Sequence, residues 1–382
     1  MIEIKDKHDC CGCEACVNAC PKSCIDLLYD NEGFMYPSIR VDSCINCNKC
    51  VKACPVINKP NKTVEPIETL SAINNDESIR ISSSSGGIFS LLAEWTIERG
   101  GVVFGAVFDE EWNVKHDYTN TKEDLFRFRG SKYVQSRIGT AYKDAEKFLK
   151  QGIYVFFTGT SCQIAGLKRF LNKEYENLLT ADCLCHGVPS PKVWNSYIKE
   201  ITGDLNDIEN ISFRDKRTGW KKYSFTITLK DGNKITHPAY DDIYMKGFLS
   251  DLYLRPSCER CPAKSGRCRS DITLADCWGI DRFNPHMDDD KGTGLILVNS
   301  IKGKNIIHSL KCNTANTPIA EARKYNGGFK EIIIPHKKRS FFFKNLKTKS
   351  TTRLIVECTS LTISEKLIKR ISLFKTKIKK HL

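Results

Sequence analysis

Cys10-Cys11-Gly12-Cys13-Glu14-Ala15-Cys16-Val17-Asn18-Ala19-Cys20-Pro21 and Cys44-Ile45-Asn46-Cys47-Asn48-Lys49-Cys50-Val51-Lys52-Ala53-Cys54-Pro55 are one pattern written twice. Each run sets three cysteines at steps of three, a fourth cysteine four residues on, and a proline behind it. This is the ligand spacing of modules that hold two 4Fe-4S clusters, in which the fourth cysteine of each run reaches the other cluster. Soft thiolates at such close spacing suit iron and sulfide. The spacing therefore predicts Cys10, Cys13, Cys16 and Cys54 around one cluster, and Cys44, Cys47, Cys50 and Cys20 around the other. Each proline turns the chain away after the last ligand. Zinc knuckles and a disulfide knot are the competing readings. Zinc sites, however, usually pair two Cys-x-x-Cys hooks across a longer arm. Cys11 and Cys24 fall outside the pattern and read as packing residues.

Around this module stands a chain of 382 residues with 19 cysteines and 41% hydrophobic content. No apolar run approaches the ~20 residues of a membrane helix. Met1-Ile2-Glu3-Ile4-Lys5-Asp6 has no apolar core, so no signal peptide is expected. Many cysteines without a leader favour reduced thiols and clusters over disulfides, and hence a cytoplasmic location. The net charge of +14 is concentrated at one end. Residues 335–382 carry fourteen Lys or Arg against two Glu, and the other 334 residues carry 45 basic against 43 acidic groups. A nearly neutral body excludes nucleic-acid binding by the chain as a whole.

Residues 56–66 read as a linker, which sets a ferredoxin-type domain at 1–57, a main domain at 67–334 and a basic tail at 335–382. The main domain alternates strands and helices. Strands are expected at 70–73, 102–108, 153–157 and 178–184, and helices from Ile88, over 140–151 and over 163–172. This is an α/β or α+β pattern with a mainly parallel or mixed sheet. Tyr223–Leu229, Asp231-Gly232 and Lys234–His237 read as an antiparallel hairpin. No Gly-x-Gly-x-x-Gly follows a strand, which weakens a nicotinamide fingerprint.

Cysteines gather a second time at Cys162, Cys183, Cys185, Cys258, Cys261, Cys268 and Cys277. Cys162 and Cys185 follow the ends of predicted parallel strands, where open α/β sheets collect their ligands. Cys258-x-x-Cys261 is a two-ligand hook framed by Pro256 and Pro262. A third cluster is one reading of this group, and buried free thiols are the other.

The main domain resembles the beta subunit of coenzyme F420 hydrogenase/dehydrogenase, a family of iron–sulfur flavoproteins that also includes 7-hydroxymethyl chlorophyll a reductase. The resemblance covers about residues 70–300. It rests on Ser84-Ser85-Gly86-Gly87, Gly130-Ser131-Lys132-Tyr133-Val134-Gln135, Gly159-Thr160-Ser161-Cys162-Gln163, Cys185-His186-Gly187-Val188-Pro189-Ser190, Cys258-x-x-Cys261 and Ser270 to Gly279. It implies FAD and a 4Fe-4S cluster in this domain. Cys162, Cys185, Cys258 and Cys261 match the family's recurrent cysteines, with Cys183 and Cys268 as substitutes. The chain departs from the family at Ser161 for a usual Pro, Ala275 for a usual Gly, Cys277 for a usual aromatic and Cys268 for a frequent non-cysteine.

Several side chains then acquire expected roles. The stretch Ser84, Ser85, Gly86 and Gly87 opens a helix, where backbone N–H groups favour an anion such as the FAD pyrophosphate. An ordinary serine cap is the alternative there. Thr158, Gly159, Thr160 and Gln163 are further FAD candidates. Lys132 against flavin or an anionic substrate, and His186 as a proton relay, are the catalytic candidates. A solvated lysine and a packed histidine compete with those two. The expected function is an oxidoreductase passing electrons between FAD and an external donor or acceptor, such as a ferredoxin, through 4Fe-4S clusters. Coenzyme F420 or NAD(P)H is a candidate co-substrate, and the small-molecule substrate is not named by the sequence. A non-catalytic electron-transfer subunit is the alternative. In the tail, residues 363–380 place Ile363, Leu367, Ile371, Phe374 and Ile378 on one helical stripe among lysines. This is a candidate for contact with an anionic membrane surface.

Overall fold

The computed structural model describes residues 1–59 and 62–360. The repeated cysteine runs fold as a repeat in space. Each contains a short helix, Ala15–Ala19 in the first and Lys49–Ala53 in the second. Both helices are entered from a left-handed residue at φ 56°, Glu14 and Asn48, and both end on an extended cysteine, Cys20 and Cys54. Strands β1 (Ile25–Tyr29) and β2 (Met35–Ile39) form an antiparallel hairpin between the runs.

The main domain follows with β3 (Glu68–Asn74), β4 (Val102–Phe108), β5 (Val114–Thr119), β6 (Val155–Thr160) and β7 (Leu178–Cys183). It continues with β8 (Ile208–Asp215), β9 (Ser224–Leu229), β10 (Lys234–Pro238), β11 (Ile272–Asp276), β12 (Gly294–Val298) and β13 (Cys312–Asn316). Eight strands make one sheet in the order β13-β3-β12-β11-β7-β6-β4-β5. Its centre, β11-β7-β6-β4, is parallel, and every pairing outside it is antiparallel. The expected mainly parallel or mixed sheet is thus a mixed one. The predicted hairpin is present as β9 and β10, but with β8 it forms a separate three-stranded sheet.

The parallel strands are apolar on both faces, as a covered sheet requires. One face packs Phe156, Leu179 and Ile296 against the helices Ile88–Ile97 and Ile301–Ser309. The other packs Phe104, Val155 and Phe157 against the helices Ala141–Lys150 and Ser161–Leu171. Cys11, Cys13, Ala15 and Ala53 join this second core, so the ferredoxin-type module shares its packing with the main domain.

The structure differs from the sequence reading at residues 335–360. The helices Arg339–Asn345 and Thr351–Thr359 bury Phe342, Leu354 and Ile355 in the core of the three-stranded sheet. Charge places this stretch in a tail, but its apolar residues recur at helical spacing and dock on the body. The stripe at 363–380 lies outside the described residues. Among the described residues no helix is long and apolar enough to cross a membrane.

Candidate functional site

The two cysteine runs line two separate cavities. Cys10, Cys13 and Cys16 share one with Cys54 from the second run. Cys44, Cys47 and Cys50 share the other with Cys20 from the first. The short helices cross in such a way that each run hands its last sulfur to its neighbour's cavity. A tetrahedral ion at ~2.3 Å from each sulfur would draw four thiols into contact. Among the described residues no three or more His, Cys, Asp or Glu gather tightly enough to hold a single metal ion. Four sulfurs spread around a cavity suit a cubane. Burial raises the Cys16 thiol well above its ordinary range, with Cys10 and Cys54 adding to the effect. Such thiols ionise when a cationic centre replaces the proton. Cys24 lies 3.4 Å from the Cys20 sulfur and packs against the second set.

The second group of cysteines divides. Cys162 stands in the first turn of the helix Ser161–Leu171, just past β6, and Cys185 just past β7. Cys258 and Cys261 come from the loop around the short helix Pro256–Arg260. These four are mutual neighbours. Burial lifts the Cys258 thiol, and Cys185, Cys261 and Cys162 lift it further. Burial likewise pushes Cys261 up to about 12, with Cys162 adding to it. Cys183 is exposed and beside Cys185. Cys268 turns elsewhere, to Ser270 at 3.7 Å and to the buried Asp182. Asp182 in turn accepts hydrogen bonds of 2.6 Å from Ser161, Ser270 and Thr273, so Cys268 belongs to a hydroxyl–carboxylate core. Cys277 is buried with Ile280 and Met287.

Three features that the sequence reading passes over join these sulfur sets. Cys11 lies between Cys13 and Cys162 and raises the Cys162 thiol more than any other neighbour does. Gly166, in the helix that carries Cys162, leaves no room for a side chain. A Cβ there would stand 3.0 Å from the Cys13 sulfur and 3.0 Å from the Tyr142 hydroxyl. Finally, the buried Glu14 carboxylate accepts from Arg137 Nε and the Ile138 and Gly139 amides, at 3.0 to 3.1 Å. These bonds hold a glutamate in the left-handed conformation that it otherwise disfavours.

The candidate FAD residues have mixed fates. The helix Ile88–Ile97 begins at Gly87, φ 82°, without a side-chain cap, so its first amides suit an anion. Ser84 Oγ accepts from the Ser131 amide at 2.7 Å, which brings the Gly130–Lys132 stretch beside this loop. Ser85 Oγ donates to the Thr293 carbonyl, and Ser85's own carbonyl accepts from buried Lys216 at 2.8 Å. Desolvation holds the Lys132 ammonium at about 7, with Nζ donating to the Arg129 and Gly130 carbonyls. Burial brings Lys216 to about 7 as well, aided by Arg214 and Arg80. Thr160 and Gln163 form a capping box, Gln163 Nε2 donates to Ser136 Oγ at 2.8 Å, and Thr158 Oγ1 donates to the Phe104 carbonyl. These polar atoms are already used in seating Cys162. Gly159 packs against buried His116. His186 pairs with Asp251 at 2.6 Å and lies edge-on to Phe248.

Comparison with known proteins matches two parts of the chain. Residues 154–318 match the family model for the C terminus of the coenzyme F420 hydrogenase/dehydrogenase beta subunit. Residues 9–58 match that of the 4Fe-4S dicluster domain. No curated protein matches the chain significantly. Among solved structures, a chain of the xenon-derivatised F420-reducing [NiFe] hydrogenase complex from Methanosarcina barkeri is similar at 17% identity and a TM-score of 0.47, covering 79% of this chain and 92% of that one. The chain therefore carries a stretch that matches the 4Fe-4S dicluster domain, followed by one that matches the C terminus of the coenzyme F420 hydrogenase/dehydrogenase beta subunit family.

Proposed function

We propose that this chain is an iron–sulfur flavoprotein oxidoreductase that carries electrons between an external protein partner and FAD, and so to a small-molecule substrate. The observation that carries the reading is the meeting of sulfur sets inside one core. Cys11 touches both Cys13 of the ferredoxin-type module and Cys162 of the main domain. In this reading Cys10, Cys13, Cys16 and Cys54 hold the inner cluster, Cys20, Cys44, Cys47 and Cys50 the outer one, and Cys162, Cys185, Cys258 and Cys261 a third. Bound clusters supply one-electron transfer, and FAD couples it to two-electron chemistry. The protein holds these groups at fixed spacing and buries most of the inner and third sets, while Cys47 of the outer set is exposed. The Ser84–Gly87 loop and the following helix seat an anion, with Lys132 beside it as the candidate for the flavin or an anionic substrate. His186, held by Asp251, is kept in one orientation near Cys185.

A second reading is an electron-transfer subunit without flavin of its own, working in a larger complex such as the hydrogenase named above. The capping duties of Thr160 and Gln163 favour it, because those groups are not left for a cofactor. Anaerobic purification tests both readings. About twelve iron atoms with acid-labile sulfide, at four per cluster, together with acid-released FAD support the first. Twelve iron atoms with no FAD, even after reconstitution, support the second. Tight zinc without labile sulfide overturns both.

A further inference from the structure

Arg255 is 1% exposed and lies three residues before Cys258, yet its guanidinium reaches across the domain boundary to the first cysteine of the chain. Nε donates to the Cys10 carbonyl at 2.7 Å, Nη2 to the Met35 carbonyl at 2.8 Å and Nη1 to Gln135 Oε1 at 3.1 Å. Nη2 also lies 3.4 Å from the Cys10 sulfur. The guanidinium plane is flanked by Tyr36, with Phe34 beyond it, at 4.4 and 5.4 Å from the ring centroids. The seat is built by subtraction at Gly12. A Cβ there would stand 2.8 Å from Arg255 Nη1 and 2.4 Å from the Gln135 amide nitrogen.

Among the described residues no carboxylate pairs with Arg255. Its neighbours of negative sign are the sulfurs of Cys10, Cys11 and Cys258 and the Tyr36 hydroxyl. A buried cation is costly unless an anion compensates it. Cys10 and Cys258, two of those neighbours, are thiols that would be ionised on ligating iron. Cluster potentials rise with hydrogen bonds to sulfur and with nearby positive charge, and depend on exposure. The outer set is placed differently. Cys47 is exposed and Cys44 half-buried. The Cys44 sulfur faces the neutral Asn46 amide at 3.9 Å, and among the described residues no Lys or Arg donates to it or to Cys47.

We infer that Arg255 is a positioning residue that raises the reduction potential of an inner cluster on Cys10, Cys13, Cys16 and Cys54 above the value that burial alone would set. This opposes the effect of burial and favours passage of electrons from the exposed cluster inward, toward the Cys258 side of the main domain. A cluster held by these four cysteines would gain one negative charge on one-electron reduction. The fixed guanidinium offsets that charge and gives up no proton. The electron comes from a one-electron donor protein at the outer cluster. The inference rests on the cluster assignment proposed above.

The test is an anaerobic redox titration of the intact, iron-loaded protein followed by EPR, in wild type and Arg255→Gln. The expected result is that Arg255→Gln shifts the inner centre to lower potential and leaves the outer centre unmoved. Full iron content with no shift, or an equal shift of both centres, overturns the role of Arg255 while leaving the cluster assignment standing. Fewer than about eight iron atoms in wild type, at four per cluster, overturns the assignment itself. Should Arg255→Gln fail to load iron, Arg255→Lys keeps the charge without the fork. It must then lower the inner potential by a smaller step at the same centre, and an unmoved potential there refutes the inference.

Discussion

Removing the Glu14 carboxylate should detach the ferredoxin-type module from its seat. Its two oxygens accept three hydrogen bonds from residues 137–139. In Glu14→Ala the buried Ile138 amide loses its partner, at about 1–3 kcal/mol. The Gly139 residue is exposed and regains water, so its amide adds little. Arg137 is 43% exposed, which limits the lost ion pair to about 0–1 kcal/mol. Together these come to about 1–4 kcal/mol. Glu14→Gly loses the same bonds but relieves a left-handed residue at φ 56°, recovering roughly 1 kcal/mol. The assay is the urea midpoint of cluster absorbance under anaerobic conditions. At an m of roughly 3 kcal/mol per molar, Glu14→Ala should fall by about 0.3–1.3 M, with Glu14→Gly between it and wild type. An alanine variant that unfolds with wild type, or a glycine variant below alanine, refutes the reasoning.

Cys258→Ala should lower bound iron from about twelve to about eight atoms, at four per cluster, and leave the ferredoxin-type EPR signals, whereas Cys268→Ala should leave iron unchanged, as read by iron analysis. Gly87→Asp, which sets a carboxylate at the proposed pyrophosphate seat, should reduce acid-released FAD fluorescence to background, while Gly87→Asn, whose Cβ meets the same crowding 3.0 Å from Asn74 Cβ without the charge, should retain more of it. Burial holds His116 at about 4, with Nε2 facing the Thr158 carbonyl and Nδ1 the Ser136 hydroxyl. Its folded value is depressed, so the unfolded chain takes up the proton first. The unfolding free energy from urea titration should be level above pH 6.5 and fall as pH drops from 6.5 toward 4, by about 1.4 kcal/mol per unit, and His116→Gln should flatten that slope.

What is legible in the sequence is what short spacing encodes. Three cysteines at steps of three must bend around one object, and the repeat of the run repeats the backbone, down to the left-handed entries at Glu14 and Asn48. Cys162 and Cys185 are legible because strand ends of a parallel sheet share an edge. Arg255 is not, because the groups that explain it lie 245 residues away at Cys10. In sequence it is one arginine before a proline. Glu14 reads as a solvated acid for the same reason, its partners being 123 to 125 residues distant. Charge counting misreads the stretch 339–359. Phe342, Leu346, Leu354, Ile355 and Cys358 stand at helical intervals there, a signal that the lysines around them mask.

The ferredoxin-type module is held on two sides by contacts of opposite kind, and this decides which cluster faces outward. On the inner side lie Glu14, Arg255 and the helix of Gly166, which meet the first run. At the tip of the β1–β2 hairpin, Arg339 grips Glu32 through two bonds of 2.6 and 2.8 Å and also bonds the Leu254 carbonyl. Both partners are about 15% exposed, so this pair is worth more than a surface one. Lys192 adds a bond to the Asn31 carbonyl. The residues that reach back from the end of the described chain thus fix the hairpin, and the hairpin fixes the rotation of the module. With the first run turned inward and the hairpin clasped, the Cys44–Cys47 side is left at the surface, beside exposed Val41 and Ile45. An electron-carrying partner would meet exposed Cys47 there, whereas along the first run Cys11, Cys13 and Cys16 are buried and Cys10 is half-buried.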